Sequence, residues 1–176
     1  MRRGLLVLAL GATLFGCQSL YAPLSVVERV DLARYSGRWY EIASFPQRFQ
    51  AGCVATTATY TPRDEGRLQV VNECRDGAFD GPLRRAEGVA WVADPDESPA
   101  RLKVQFFWPF RADYWILALD PEYRYAVVGH PSRDYLWILA RTPTLDPARY
   151  AMLRAHVEAQ GFDATRLVRT PQPPTL

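Results

Sequence analysis

From residue 39 to residue 141 the chain is a series of short runs rich in β-branched and aromatic residues. They fall at 39–45, 52–61, 67–74, 84–92, 101–107, 112–119, 124–129 and 135–141. Turn-forming clusters interrupt them: Pro62-Arg63-Asp64-Glu65-Gly66, Asp76-Gly77, Asp94-Pro95, Pro109, Asp120-Pro121 and Pro131-Ser132. Such spacing predicts strands. No connection has room for a crossover helix, so consecutive strands must pair antiparallel. Eight of them in succession predict an all-β fold, an eight-stranded antiparallel up-and-down barrel.

Helical signals lie outside this block. Asp31 and Gly37 bracket a short capped turn. After the strands, Asp146 as cap, Pro147 at the first position and Gly161 at the end delimit one C-terminal α-helix. Its apolar stripe, Tyr150, Leu153 and Val157, predicts packing on the outside of the barrel. Residues 166–169 suit a short edge strand, and the Pro-rich 171–176 reads as a loose C-terminal tail.

The first residues follow a different pattern. Arg2 and Arg3 precede an apolar run from Leu5 to Phe15 that ends in Leu14-Phe15-Gly16-Cys17. The run is too short for a mature membrane span, which takes about 20 residues, and fits a secretory signal. Its junction resembles the lipobox of bacterial lipoproteins. That resemblance implies a signal peptide at 1–16, lipid attachment at Cys17 and a lipidated tether over 17–30. Gln18 stands where an Asp would resemble the inner-membrane retention signal, which favours the bacterial outer membrane with the domain facing the periplasm.

Composition narrows the function. The chain has 176 residues, 48% hydrophobic and 23% charged, which argues for one well-packed domain, here 31–170. Without Arg2 and Arg3 the 21 basic residues fall to 19, against 19 acidic. A neutral domain lacks the basic footprint of a nucleic-acid binder. With Cys17 assigned to the anchor, Cys53 and Cys74 remain as an even pair in an oxidising compartment. A four-residue loop at 62–65 would set Thr61 opposite Gly66 and Cys53 opposite Cys74, predicting a disulfide. A three- or five-residue loop would need a bulge to bring them together.

Three further segments resemble the lipocalin family. Gly37-Arg38-Trp39-Tyr40-Glu41-Ile42-Ala43 matches its G-x-W-Y opening, Asp113-Tyr114 with the turn at 120–125 its second motif, and Arg141 its third. The stretch 133–143 is similar to the family's bacterial outer-membrane branch. Strand counting adds an independent point: strand one begins where strand eight ends. Gly37, Trp39 and Arg141 should therefore meet at the closed end, with the guanidinium on the indole.

At the opposite end the loops carry Arg48, Phe49, Arg75, Phe79, Trp108, Phe110, Arg111 and Arg133, an aromatic and cationic mouth partly offset by Asp76, Asp80 and Asp134. Matching to the lipocalin pattern turns Trp137 and Leu139 inward, and similarly Leu102, Val104, Phe106, Tyr114, Ile116, Ala126 and Val128. The resemblance together with this apolar lining implies a fatty acid or lysophospholipid as ligand, with head-group recognition at the mouth or deeper at Tyr114 or Asn72. A solid core stays open, as does a homodimer. The two histidines, His130 and His156, fall on different parts of the fold, and Asp94, Asp96 and Glu97 read as a solvated turn. No catalytic motif, metal site or cofactor is expected. A lipid-modifying enzyme on the same fold is the alternative.

Overall fold

A computed structural model describes residues 21–174. The signal peptide expected at 1–16 and Cys17 lie outside the described residues. Eight strands form the wall: β1 (Gly37–Ser44), β2 (Cys53–Pro62), β3 (Leu68–Asp76), β4 (Leu83–Val92), β5 (Arg101–Phe107), β6 (Phe110–Leu119), β7 (Tyr125–Gly129) and β8 (Leu136–Ala140). Each pairs antiparallel with its successor, and β1 pairs with both β8 and β2, so the barrel is closed. A ninth, two-residue strand, β9 (Val168–Arg169), adds to β1 within the segment expected to hold an edge strand.

Apolar residues divide across the wall by the two-residue period of a strand. One buried cluster joins Ile42, Ala43, Val127, Ile138 and Ala140 to Leu153 and Val157 of the outer helix, α2 (Pro147–Ala159). The other joins Trp39, Tyr60, Leu68, Leu102, Ile116, Val128 and Leu139 inside the barrel. Asp146 caps α2 by accepting from the Arg149 amide at 3.0 Å. The first helical turn, α1 (Leu32–Tyr35), is capped in the same way by Asp31 and carries Tyr35 into the inner cluster.

Three expectations need correction. The β2–β3 loop is five residues long, with Pro62 opposite Leu68 and Thr61 opposite Gln69 rather than Gly66. A bulge between Val54 and Thr57, where Ala55 takes a φ of 52°, then re-phases the pair. Cys53 consequently faces Asp76, and Cys74 is its diagonal neighbour. The bridge forms all the same, with Cα atoms 5.5 Å apart.

Second, the tail is tied down at its start. β1 pairs with β2 only through Gly37 to Tyr40, which leaves a gap in the upper wall. Residues 170–172 fill it. The Thr170 amide donates to the Ile42 carbonyl, the Ala55 amide to the Pro171 carbonyl, and Gln172 Nε2 to the carbonyls of Glu41 and Thr56. Third, part of the expected tether is packed. Leu24 is buried in the outer cluster, and the Val27 amide donates to the Ile116 carbonyl at 3.0 Å.

Candidate functional site

The closed end is built around Trp39, which is fully buried. Its indole N–H donates to the Tyr35 carbonyl at 2.8 Å. The Arg141 guanidinium lies 3.9 Å from the ring centroid. The same guanidinium donates to four backbone carbonyls, those of Tyr123, Arg38, Arg34 and Tyr35. No carboxylate is needed, because carbonyls from three separate segments supply the acceptors. Gly37 permits the approach: at φ +97° a Cβ would stand 3.2 Å from Arg141 Nη1.

Above this floor the inner wall holds every residue expected to line it. Leu102, Ile116, Ala126, Val128 and Leu139 are buried in the inner cluster, and Val104, Phe106, Tyr114 and Trp137 pack against it. The second group is only half-buried although it faces inward. This row therefore keeps some accessible surface where the buried residues beside it keep almost none. Gly88 makes room there: a Cβ would meet the Phe106 ring at 2.8 Å.

Polar groups interrupt this lining. Tyr114 Oη is 2.8 Å from Tyr35 Oη and 2.7 Å from Tyr60 Oη. Burial pushes the Tyr60 phenol up to about 12, and burial also raises Tyr35 and Tyr114 well above the usual range. On β2 and β3, Thr56 Oγ1 and Asn72 Oδ1 are buried without a hydrogen-bond partner. Both share the inward parity of Tyr60 and Val70, and the small residues Ala58 and Ala86 stand opposite Asn72 on the neighbouring strands. Glu41 is also buried, held by Ser44, Gln50 and Thr170, while Gln50 Oε1 accepts from the Trp137 indole at 3.3 Å. Tyr60 and Thr56 follow from strand alternation. Tyr35 and Gln50 come from irregular segments with no periodic signal.

The expected ring of four cations at the mouth is largely dismantled. Arg75 donates to the Gly81 carbonyl, and Arg111 lies 5.9 Å from the Trp91 ring, on the outer wall. Arg133 is clamped to the carbonyls of Gln160 and Ala22. Only Arg48 is exposed and has no side-chain partner among the described residues. In their place Arg84, not anticipated, donates to the carbonyls of Phe49 and Ala51 and ties the β1–β2 loop to β4. The aromatics do project. Phe49 is 62% exposed, Trp108 84% and Phe110 76%.

One further cluster carries the residue types of a hydrolase. His130 Nδ1 is 2.8 Å from Ser132 Oγ, and His130 Nε2 is 3.9 Å from Asp113. The second distance is too long for a hydrogen bond. The Asp113 carboxylate is already held by Lys103 at 2.6 Å and by the Trp115 indole. Nδ1 also accepts the Ser132 amide, as in a side-chain-closed turn.

Comparison with known proteins agrees with this architecture. The family model of the Lipocalin-like domain matches residues 30–172. Outer membrane lipoprotein Blc of Escherichia coli K12 is 44% identical over 160 residues, covering 89% of both chains. Temperature-induced lipocalin-1 of Arabidopsis thaliana is 42% identical over 160 residues, 86% of this chain and 84% of its own. Among solved structures, insecticyanin of the tobacco hornworm Manduca sexta superposes with a TM-score of 0.68 at 20% identity, covering 87% of this chain and 86% of that one. Family match, barrel topology and the closed end built on Trp39 and Arg141 agree: this chain belongs to the lipocalin-like family.

Proposed function

We propose that the protein is a lipid-anchored envelope lipocalin that binds a fatty acid or lysophospholipid inside the barrel, for storage or transport at the bacterial outer membrane. The observation that carries this reading is the exposure of inward-facing Val104, Phe106, Tyr114 and Trp137 above a sealed floor. An apolar wall that solvent can reach, open at one end, suits an acyl chain. A head group would then meet Asn72 Oδ1, Thr56 Oγ1 and Arg48. Binding is preferred over turnover because the one Ser, His and Asp cluster lies outside this lining. The lipobox-like junction at Cys17 and the likeness to the outer membrane lipoprotein Blc of E. coli support the location.

Mass spectrometry of lipids carried by the purified protein tests the reading. One acyl lipid per chain, displaced by added lysophospholipid, is the expected result. A barrel that carries no lipid and takes up none would establish a solid structural barrel, and release of a chemically altered lipid would establish an enzyme. Cys17→Ser should free the domain from membranes, and retention of that variant would overturn the anchor.

A further inference from the structure

Scattered exposed apolar side chains are ordinary on a protein surface, whereas a contiguous group marks a docking site. Here the distribution is polarised. Apart from Met152 on α2 and Val168 on β9, every large apolar side chain exposed among the described residues lies in the loops and strand ends at the mouth, or at Tyr21 beside them. The β5–β6 turn is the summit, with Phe107 75%, Trp108 84% and Phe110 76% exposed. The closed end differs in kind. Its turns carry charged rather than large apolar side chains, with Glu65, Glu97 and Glu122 paired to Arg67, Arg101 and Arg124.

The start of the described chain indicates what covers the apolar end. Tyr21 lies under Arg133 of the β7–β8 loop, 5.0 Å from guanidinium to ring. The Ala22 carbonyl accepts from the same guanidinium, and Tyr21 also lies against Gly161. The chain therefore leaves the barrel at the mouth, then runs past Leu24 and Val27 to Asp31 at the floor, where the Asp31 amide donates to Tyr123 Oη. Only three residues lie between Cys17 and Tyr21, four Cα steps that span at most about 14 Å. A lipid on Cys17 holds the mouth, not the floor, against the bilayer.

We propose that the mouth docks on the membrane surface, with Phe107, Trp108 and Phe110 dipping into the interface while the charged turns of the floor point away from it. The proposal rests on the reading of Cys17 as the lipid anchor. Aromatic side chains settle at the boundary between head groups and acyl chains, whereas charged turns stay in water. The arrangement gives a bound acyl chain a route between barrel and bilayer that does not cross water.

The test uses the acylated full chain in phosphatidylcholine vesicles containing about one-third phosphatidylglycerol. A fluorescent label is placed through Ala78→Cys, in the β3–β4 turn at the mouth, or through Glu65→Cys, in the β2–β3 turn at the floor. A nitroxide on the lipid should quench the label at position 78 about threefold or more over that at 65. Combined Phe107→Ser, Trp108→Ser and Phe110→Ser should reduce the difference. Equal or reversed quenching overturns the orientation while leaving the anchor intact. A label at 78 shielded from both lipid nitroxide and aqueous iodide means that a second copy covers the mouth, and overturns it too. Protein that washes off the vesicles overturns the anchor reading and this proposal with it.

Discussion

Arg141 caps Trp39 at 3.9 Å, although one residue follows the last strand of the wall and the other belongs to the first. The contact exists only when the barrel has closed, so it reports closure directly. Trp39→Ala should lower unfolding free energy by roughly 3–5 kcal/mol. Arg141→Ala leaves the carbonyls of Arg34, Arg38 and Tyr123 without this donor, that of Tyr35 keeping the Trp39 indole, and should cost roughly 2–3 kcal/mol. Urea titration measures both. Ligand preference should be unchanged, and loss of binding at wild-type stability would place the site at the wrong end of the barrel.

The Cys53–Cys74 bridge spans a sequence separation of 21 and should contribute about 3 kcal/mol through the unfolded chain. Protein from an oxidising compartment should show no titratable thiol from this pair after denaturation without reductant. The doubly substituted protein, Cys53→Ala with Cys74→Ala, should unfold at correspondingly lower urea.

Asp120 is the acid-sensitive point of the floor. Its carboxylate accepts from the Arg124 guanidinium through two nitrogens, at 2.7 and 3.0 Å, and from the amides of Glu122 and Arg124. Chiefly the Arg124 side chain brings its pKa down to about 2. The folded state therefore gives up this proton more readily than the unfolded one. The stabilisation is present above the ordinary carboxylate range and is lost as pH falls towards 2. Arg124 is 57% exposed, so solvent screening limits the contribution to about 1–2 kcal/mol. In Asp120→Asn, stability measured between pH 7 and 2 should be lower at the top of the range and should converge on the parent at the bottom.

At the alkaline side the inner tyrosines act in the opposite sense. The Tyr60 phenol, raised by burial to about 12, holds its proton in the fold after an unfolded tyrosine would have lost it. Its stabilisation is full below pH 10 and disappears as pH rises towards 12. Ultraviolet titration should show Tyr35, Tyr60 and Tyr114, of nine tyrosines, ionising only with unfolding. Tyr114→Phe removes the shared hydroxyl and should make that transition less steep.

Asn72 tests head-group selection. Asn72→Leu should weaken lipids whose head group donates a hydrogen bond by about tenfold relative to a chain-matched alkane probe. Competition binding measures the ratio. Equal loss for both would show that the substitution only fills space.

Legibility in the sequence tracked periodicity. The eight strands, α2 and the inner row from Leu102 to Leu139 were readable because burial on one face imposes a period of two or 3.6 on residue type. The mouth was not. Whether Arg133 faces a ligand or the Ala22 carbonyl depends on where a distant irregular segment runs, and no local pattern records that. The β2–β3 register failed for a related reason. The loop closes over residues 63–67 rather than 62–65, which moves Thr61 from Gly66 to Gln69, and the bulge at Ala55 then shifts the pairing by one more residue; neither leaves a mark in the alternation. Glu41 lay within a recognised motif, yet its burial among Ser44, Gln50 and Thr170 depends on a segment far along the chain.

The strip at residues 170–172 has a consequence for how the chain comes to be folded. It seals the split between β1 and β2 through the carbonyls and amides of Ile42, Thr56 and Ala55, and it follows all eight wall strands in sequence. A chain made residue by residue from its N-terminus has those strands already free while the final seam is still open. Unpaired strand edges at such a seam invite pairing with another chain. Truncation before Thr170 should therefore show itself as aggregation during folding, measured by light scattering on refolding, before any loss in the stability of the folded barrel. Within this barrel the seam divides the time when the wall can still gape from the time when it holds its shape.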